Sequence, residues 1–290
     1  MDLTTEALRL LKTAPAEGVQ DQYADGKAAN VWQAYIVDTK QRKQNYKDFL
    51  VGLLRRNGCK RILDVACGTG VDSVMLLEEG FQVVSIDASD KMLKYALKTR
   101  WQRRKEKPFD DWIIEEANWL TLQDDIRDLI GDGFDCVMCL GNSFAHVLDS
   151  YGDQREQRRA IANFEQCVKP GGLLLIDHRN YDYIIEFGQA PVNCMYYNDR
   201  HLKRIETSVM KKNGKPVLII LEYFVSLNDL NADQTCEFRL TYYPHTLEKF
   251  SKLLNENFLP QEKHEIYGDF QSLEKIEHPG FYIHLLQKCR

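Results

Sequence analysis

From Arg61 to Arg179 short apolar runs alternate with helix-patterned stretches, and this alternation limits the fold more than any other feature of the chain. RILDVA, QVVSID, WIIEEA, FDCVMCL and LLLID each read as a strand. Helical patterns are expected near Asp72–Glu79, from Ser89 through SDKMLKYALKTRWQRR, and over about Asp153–Val168, ended by KPGG. Ser89 is placed to cap the second of these. Strands spaced this way pair in parallel, and a parallel sheet needs cover on both faces. FDCVMCL is apolar without a break, as suits a central strand buried on both sides.

The flanks read differently. Residues 1–22 form an N-terminal arm, broken by Pro15 and Gly18. Helical stretches follow around Gly26–Val37 and Lys40–Asn57, with Gly58 as a stop. Residues 23–193 are the expected α/β core. Residues 194–243 are β-rich, and Asn213-Gly214 between two apolar runs signals a hairpin. This segment reads as a wall or lid. Residues 244–290 return to the core, with a helix after Pro244 and a closing hairpin from HEIYGDF and FYIHLLQ.

The net charge of -5 and pI near 5.9 argue against nucleic acid or an anionic membrane as partner. The one basic cluster, Lys98 to Lys107, reads as a solvated helix end. There is no signal-peptide pattern and no uncharged apolar window of about 18 residues. The terminal QKCR is not a prenylation signal. The expected compartment is the cytoplasm. The eight cysteines are scattered. Cys136 and Cys139, three apart in a strand, point to opposite faces and read as buried thiols. No Cys/His spacing suits zinc, and no metal is expected.

The first strand runs into LDVACGTGVDS, Leu63 to Ser73. Glycines at 68 and 70 permit unusual φ/ψ and let backbone approach a ligand closely. A dinucleotide turn carries a third glycine where Ser73 stands, and there is no Walker lysine. Asp87 ends the second strand, where a carboxylate can accept from both hydroxyls of a ribose or simply start a helix. Asp64 either orients the turn or satisfies its amides. The topological switch point is expected between strands one and four. With the later KPGG loop, the set favours S-adenosylmethionine over NAD.

LDVACGTGVDS, SIDASDKMLKYAL, EEANWLTL, LGNSFAH and IDHRNYDYI together resemble the glycine N-methyltransferase family. The resemblance extends to DQYADGKAANVWQAYIVDTKQR before the sheet and FRLTYYPH after it. It implies a class I S-adenosylmethionine-dependent methyltransferase fold, a Rossmann-like sheet with helices on both faces. It implies methyl transfer from S-adenosyl-L-methionine to glycine, sarcosine as product, a homotetramer, and regulation by reduced folate such as 5-methyltetrahydrofolate.

The residue roles follow from that likeness. Arg179, beyond strand five, takes the substrate carboxylate through its guanidinium fork; read from the residues alone, a structural ion pair is equally open. Asn142 orients substrate, or makes an Asx turn. Leu140 and Gly141 present backbone to the methionyl part and substrate. His146 stands near the pocket rim and is not assigned as a base. Ala66, Asp87 and Met92 belong to the cofactor side, with plain core packing as the alternative for Met92. Asn118 and Trp119 suit the adenine edge, with a core tryptophan as the alternative. Tyr23, Trp32, Tyr35 and Arg42 match positions that cover the cofactor, with Tyr23 also directed at the reacting methyl. Tyr197, Tyr223 and Tyr242 close the pocket. One departure is Phe281, with Tyr282 beside it, where the family commonly has an aromatic hydroxyl. Two other readings stay open: an N-methyltransferase for another small amino acid such as sarcosine, or mainly a folate or S-adenosylmethionine binder.

Overall fold

Five parallel strands carry the centre of the molecule: β1 (Arg61–Asp64), β2 (Gln82–Asp87), β3 (Ile113–Glu116), β4 (Phe134–Cys139) and β5 (Val168–Arg179). The computed structural model describes residues 44–191, 202–226 and 235–290. The N-terminal arm, Tyr23, Trp32, Tyr35, Arg42 and Tyr197 lie outside these residues. Three further strands extend the sheet antiparallel: β9 (Gln261–Gly268), β10 (Gln271–Ser272) and β11 (Phe281–Lys288). The spatial order is β10-β9-β11-β5-β4-β1-β2-β3. The order reverses between β1 and β4, as expected from the sequence, and sheets of this kind bind ligands at that point, beyond the carboxyl ends of the strands.

Helices cover both faces. α1 (Gln44–Arg56), α2 (Val71–Glu78) and α3 (Asp90–Gln102) pack one side; α4 (Arg155–Cys167) and α6 (Leu247–Asn257) pack the other. Every residue of β4 is buried, and alternate residues serve opposite cores. Cys136 and Met138 join the α1–α3 side; Val137 and Cys139 join the α4–α6 side. The two thiols therefore face apart, and burial pushes both well above the ordinary cysteine range. Phe144, Phe164 and Phe250 meet on the second side, each at or near zero exposure. Burying such a ring stabilises by about 1.5–3 kcal/mol.

β5 starts earlier than the sequence suggests. Phe134 pairs with Val168 but Cys136 pairs with Leu173, so KPGG bulges within the strand instead of ending the helix as a loop. Arg179 is accordingly the strand's last residue, followed by α5 (Tyr181–Phe187). Ser89 sits at the start of α3 but makes no side-chain cap bond, and its buried hydroxyl has no hydrogen-bond partner. Asp87 receives the Ser89 amide instead, at 2.9 Å.

β6 (Leu202–Lys212), β7 (Lys215–Ser226) and β8 (Thr235–Tyr242) form a separate antiparallel sheet. Asn213 and Gly214 turn the hairpin with φ of 51° and 75°, the double positive φ of a type I′ turn. This sheet packs Tyr223, Leu221 and Tyr242 against Tyr181, Ile184 and Ala145. It thereby roofs the loop after β4 and the end of β5. Among the described residues, no helix is long and apolar enough to cross a membrane.

Candidate active site

The switch point has two sides. On the first, β1 delivers Asp64 and then the glycine turn. Gly68 and Gly70 have φ of 54° and 84°, which glycine adopts without penalty. A Cβ on Gly70 would stand 2.7 Å from the Trp112 ring, and one on Gly68 would stand 3.2 Å from the Met92 methyl. The turn is thus pressed onto α3 and Trp112. The Gly68 amide donates to Asp87 Oδ2 at 2.8 Å. Asp87 is half-buried at the end of β2, its carboxylate oriented by this amide and that of Ser89.

Asp64 is almost fully buried. It accepts from the Ser73 hydroxyl at 2.7 Å and, more weakly, from the Ala66 amide at 3.4 Å. Behind it runs a string of fixed direction. Trp112 Nε1–H donates to Ser85 at 2.7 Å, and Ser85 donates to Ser73 at 2.8 Å. Desolvation, then the nearby Asp72 charge, raises the Asp64 carboxyl to about 8. Sequence reading missed Ser73, Ser85 and Trp112 in this role, although Ser73 stands where a dinucleotide turn has glycine.

Asn118 and Trp119 follow β3. The Asn118 side chain accepts the Leu120 amide, an Asx turn. Trp119 stacks on Phe144 at 5.9 Å and donates its indole N–H to the Val65 carbonyl at 2.6 Å. Its ring is thereby tied to the core while the side chain stays half-exposed.

The second side is built around Arg179. Asp177, fully buried, accepts the Gly141 and Asn142 amides at 3.1 and 2.7 Å and so pins the loop after β4. Asn142 takes φ 64°, a left-handed conformation tolerated by asparagine. Its Oδ1 accepts the Arg179 amide at 3.0 Å, and its Nδ2 donates to the Tyr181 hydroxyl at 2.9 Å. Leu140 is buried, its carbonyl accepting the Ser143 hydroxyl at 2.8 Å. Gly141 is exposed.

Arg179 is 7% exposed. Its Nη2 donates to the Tyr223 hydroxyl at 3.2 Å, and its guanidinium lies over the Phe281 ring at 4.8 Å. Tyr223 and Tyr242 bring their hydroxyls to 3.2 Å of each other. His146 stacks on Tyr242 at 4.7 Å and donates Nδ1–H to the Thr241 carbonyl at 3.3 Å. Burial lowers its imidazole to about 4. Phe281 shares the Arg179 side, whereas Tyr282 approaches His178 on the other face at 5.5 Å. The neighbouring tyrosine therefore cannot place a hydroxyl where Phe281 sits.

The structure thus gathers Gly141, Asn142, Arg179, Tyr223 and Tyr242 on one side and Ala66, Asp87 and Met92 on the other. Sequence reading missed Asp177 and Tyr181, which hold Asn142. The only hint was Asp177 two residues before Arg179 on one strand. Among the described residues no cluster of His, Cys, Asp or Glu could hold a metal ion.

Residues 62–172 match the model of a methyltransferase domain. A solved S-adenosylmethionine-dependent methyltransferase from Clostridium acetobutylicum ATCC 824 superposes with a TM-score of 0.63 at 17% identity, over 92% of this chain and 99% of that one. That likeness bears on fold alone. Glycine N-methyltransferase of Rattus norvegicus is 55% identical over 94% of each chain. The human protein of that name is 52% identical over 94% of this chain and 95% of its own. A glycine/sarcosine N-methyltransferase of Halorhodospira halochloris is 30% identical over 96% of this chain and 92% of its own. With such relatives matched over nearly their whole length, the chain belongs to the glycine N-methyltransferase family and is an S-adenosylmethionine-dependent methyltransferase.

Proposed function

We propose that the chain methylates the nitrogen of glycine, giving sarcosine and S-adenosylhomocysteine. The observation that carries this reading is a buried arginine, Arg179, held at the carboxyl end of β5 between a tyrosine hydroxyl and an aromatic face. A guanidinium so placed matches a small carboxylate bidentately. The names of the relatives support glycine as its bearer.

S-adenosylmethionine supplies an activated methyl on a sulfonium whose departure leaves a neutral thioether. The residues on the first side fit it: an acidic group at the end of β2 suits a ribose diol, and the glycine turn admits close approach. Met92 and Trp119 offer apolar cover to a base, and Asn118 a polar edge. Trp32, Tyr35 and Arg42 would complete the cofactor side, and Tyr23 and Tyr197 the reacting centre. Arg179, with Asn142 and the Gly141 backbone, would fix the amino acid so that its nitrogen stands in line with the transferred carbon. Holding the partners in that geometry is the main source of rate.

The amine must be neutral to react. His146, lowered to about 4, is too weak a base to take its proton. The proton leaves to water, and rate rises with pH. Loss of turnover in His146→Asn with binding intact would contradict this. The reading extends to a cytoplasmic homotetramer regulated by a reduced folate; sedimentation and calorimetry with 5-methyltetrahydrofolate address those parts. The central test is product identification after mixing the protein with S-adenosylmethionine and glycine, sarcosine and dimethylglycine in turn. Sarcosine from glycine, as the fastest reaction, is expected. Methylation confined to the N-methylated acceptors would replace the reading.

A further inference from the structure

Three histidines line up across neighbouring strands behind Arg179. His178 is on β5, His284 on β11 and His264 on β9. His178 Nε2 lies 3.0 Å from His284 Nε2, and His284 Nδ1 lies 2.9 Å from His264 Nε2. At the inner end, His178 Nδ1 is 2.8 Å from the Arg179 carbonyl oxygen. At the outer end, His264 Nδ1 is 2.7 Å from Oδ1 of Asn255, exposed on α6, and the same oxygen accepts from Gln261 Nε2 at 3.0 Å. His178 and His284 are fully buried.

The inner end explains itself from the sheet. β4 ends at Cys139, opposite Ile176, while β5 runs on to Arg179. The Arg179 peptide therefore has no β4 backbone beside it. Side chains replace that strand: Asn142 accepts its N–H, and His178 serves its carbonyl.

A carbonyl only accepts, so His178 must carry its proton on Nδ1. Its Nε2 then accepts, so His284 donates from Nε2. His284 Nδ1 accepts in turn, so His264 donates from Nε2. One direction is thus imposed on all three rings. Three protons fill three of the four contacts. The fourth closes when Asn255 turns its NH2 toward His264, with Gln261 turning its own amide oxygen to meet it. Presenting the Asn255 oxygen instead would demand a fourth proton and one imidazolium.

The surroundings favour the neutral form. His178 is lowered to about 4, His284 lies well below the ordinary histidine range, and His264 also lies below it, each through burial. His245 faces the rings from the segment before α6, and Tyr181 and Tyr282 flank His178. Phe250 of α6 packs on His178, His284 and His245. Beside His264, Lys263 and Glu265 pair with each other at 2.6 Å.

We propose that His178, His284 and His264 are positioning residues: a one-way hydrogen-bond ladder, anchored at Asn255, that holds the Arg179 peptide so that its guanidinium meets the substrate carboxylate. The proposal rests on the reading of Arg179 given above.

Imidazole 15N spectra of the full chain at neutral pH, without substrate, test the ladder. They should show Nδ1–H at His178 and Nε2–H at His284 and His264. Nε2–H at His178 would overturn it. The positioning role is read from kinetics. His264→Leu should raise KM for the amino acid about fivefold, the loss of one partly buried hydrogen bond. S-adenosylmethionine affinity should not change. His264→Gln, which can still donate to His284, should return KM to within about twofold of the native value. Asn255→Ala, at the exposed end, keeps all three rings and should raise KM by about twofold. An unchanged KM in both His264→Leu and Asn255→Ala would remove the positioning role. Expected tautomers with full activity in Arg179→Lys would instead sink the reading of Arg179.

Discussion

Around the glycine turn the hydrogen-bond partners lie close in sequence. Gly68 reaches Asp87 across 19 residues and Ser73 reaches Asp64 across nine. Around Arg179 the separations are longer: 37 residues to Asn142, 44 to Tyr223, and 106 from His178 to His284. The turn belongs to one β-turn-α-β unit whose geometry follows from local chain chemistry. The Arg179 side assembles only when the β6–β8 sheet and the C-terminal strands have docked. On the proposed reading, the difference teaches where each function is vulnerable: cofactor binding to local changes in the turn, substrate binding to distant ones.

The largest expected effect separates the two sides outright. Arg179→Lys keeps the charge and loses the fork, so kcat/KM for glycine should fall about 100-fold. S-adenosylmethionine affinity, by calorimetry, should stay within twofold. Equal loss of both would mean the sides are one unit. The reverse variant, Asp87→Asn, should weaken S-adenosylmethionine binding about tenfold or more, the worth of charge-assisted hydrogen bonds. Amino-acid KM at saturating cofactor should change little.

Acid sharpens the contrast, because the buried groups on the two sides respond with opposite sign. On the Arg179 side, His178 and His146 titrate near 4 in the fold against 6.5 ordinarily. Their neutral forms stabilise the fold above 6.5, and that contribution is lost as pH falls toward 4. Asp64 is raised from 3.8 to about 8. Its contribution is present in full below 3.8 and is lost as pH rises through 8. Thermal unfolding of the native chain and Asp64→Asn should diverge between pH 4 and 8. The variant should gain on the native chain as pH rises, by about 2–4 °C for each kcal/mol. A constant gap would show that Asp64 keeps its charge throughout.

The smallest effect is at Ser89. A true cap lost to alanine costs about 1 kcal/mol. Here the hydroxyl has no partner, so Ser89→Ala should change unfolding free energy by less than about 0.5 kcal/mol. A larger loss in denaturant titration would restore the capping role.

These contrasts track what was legible beforehand. The strands β1 to β5, the switch point and the Asn213-Gly214 hairpin could be read because apolar periodicity and turn chemistry are local signals. The glycine turn with Asp87 was legible for the same reason. KPGG was misread because a bulge within a strand carries the same residues as a loop. Asp177 and Tyr181 left almost no trace, since their work is to bond a loop that lies 35 to 39 residues away.

The sequence by itself determined the parallel sheet, its order reversal, the glycine turn and the family, because each is written in contiguous residues. Tertiary structure alone decided that Phe281 and not Tyr282 faces Arg179, that Tyr223 meets Tyr242, and that three histidines join behind Arg179. Those outcomes depend on strand register and sheet docking. A one-residue shift in either would turn every such side chain to the opposite face.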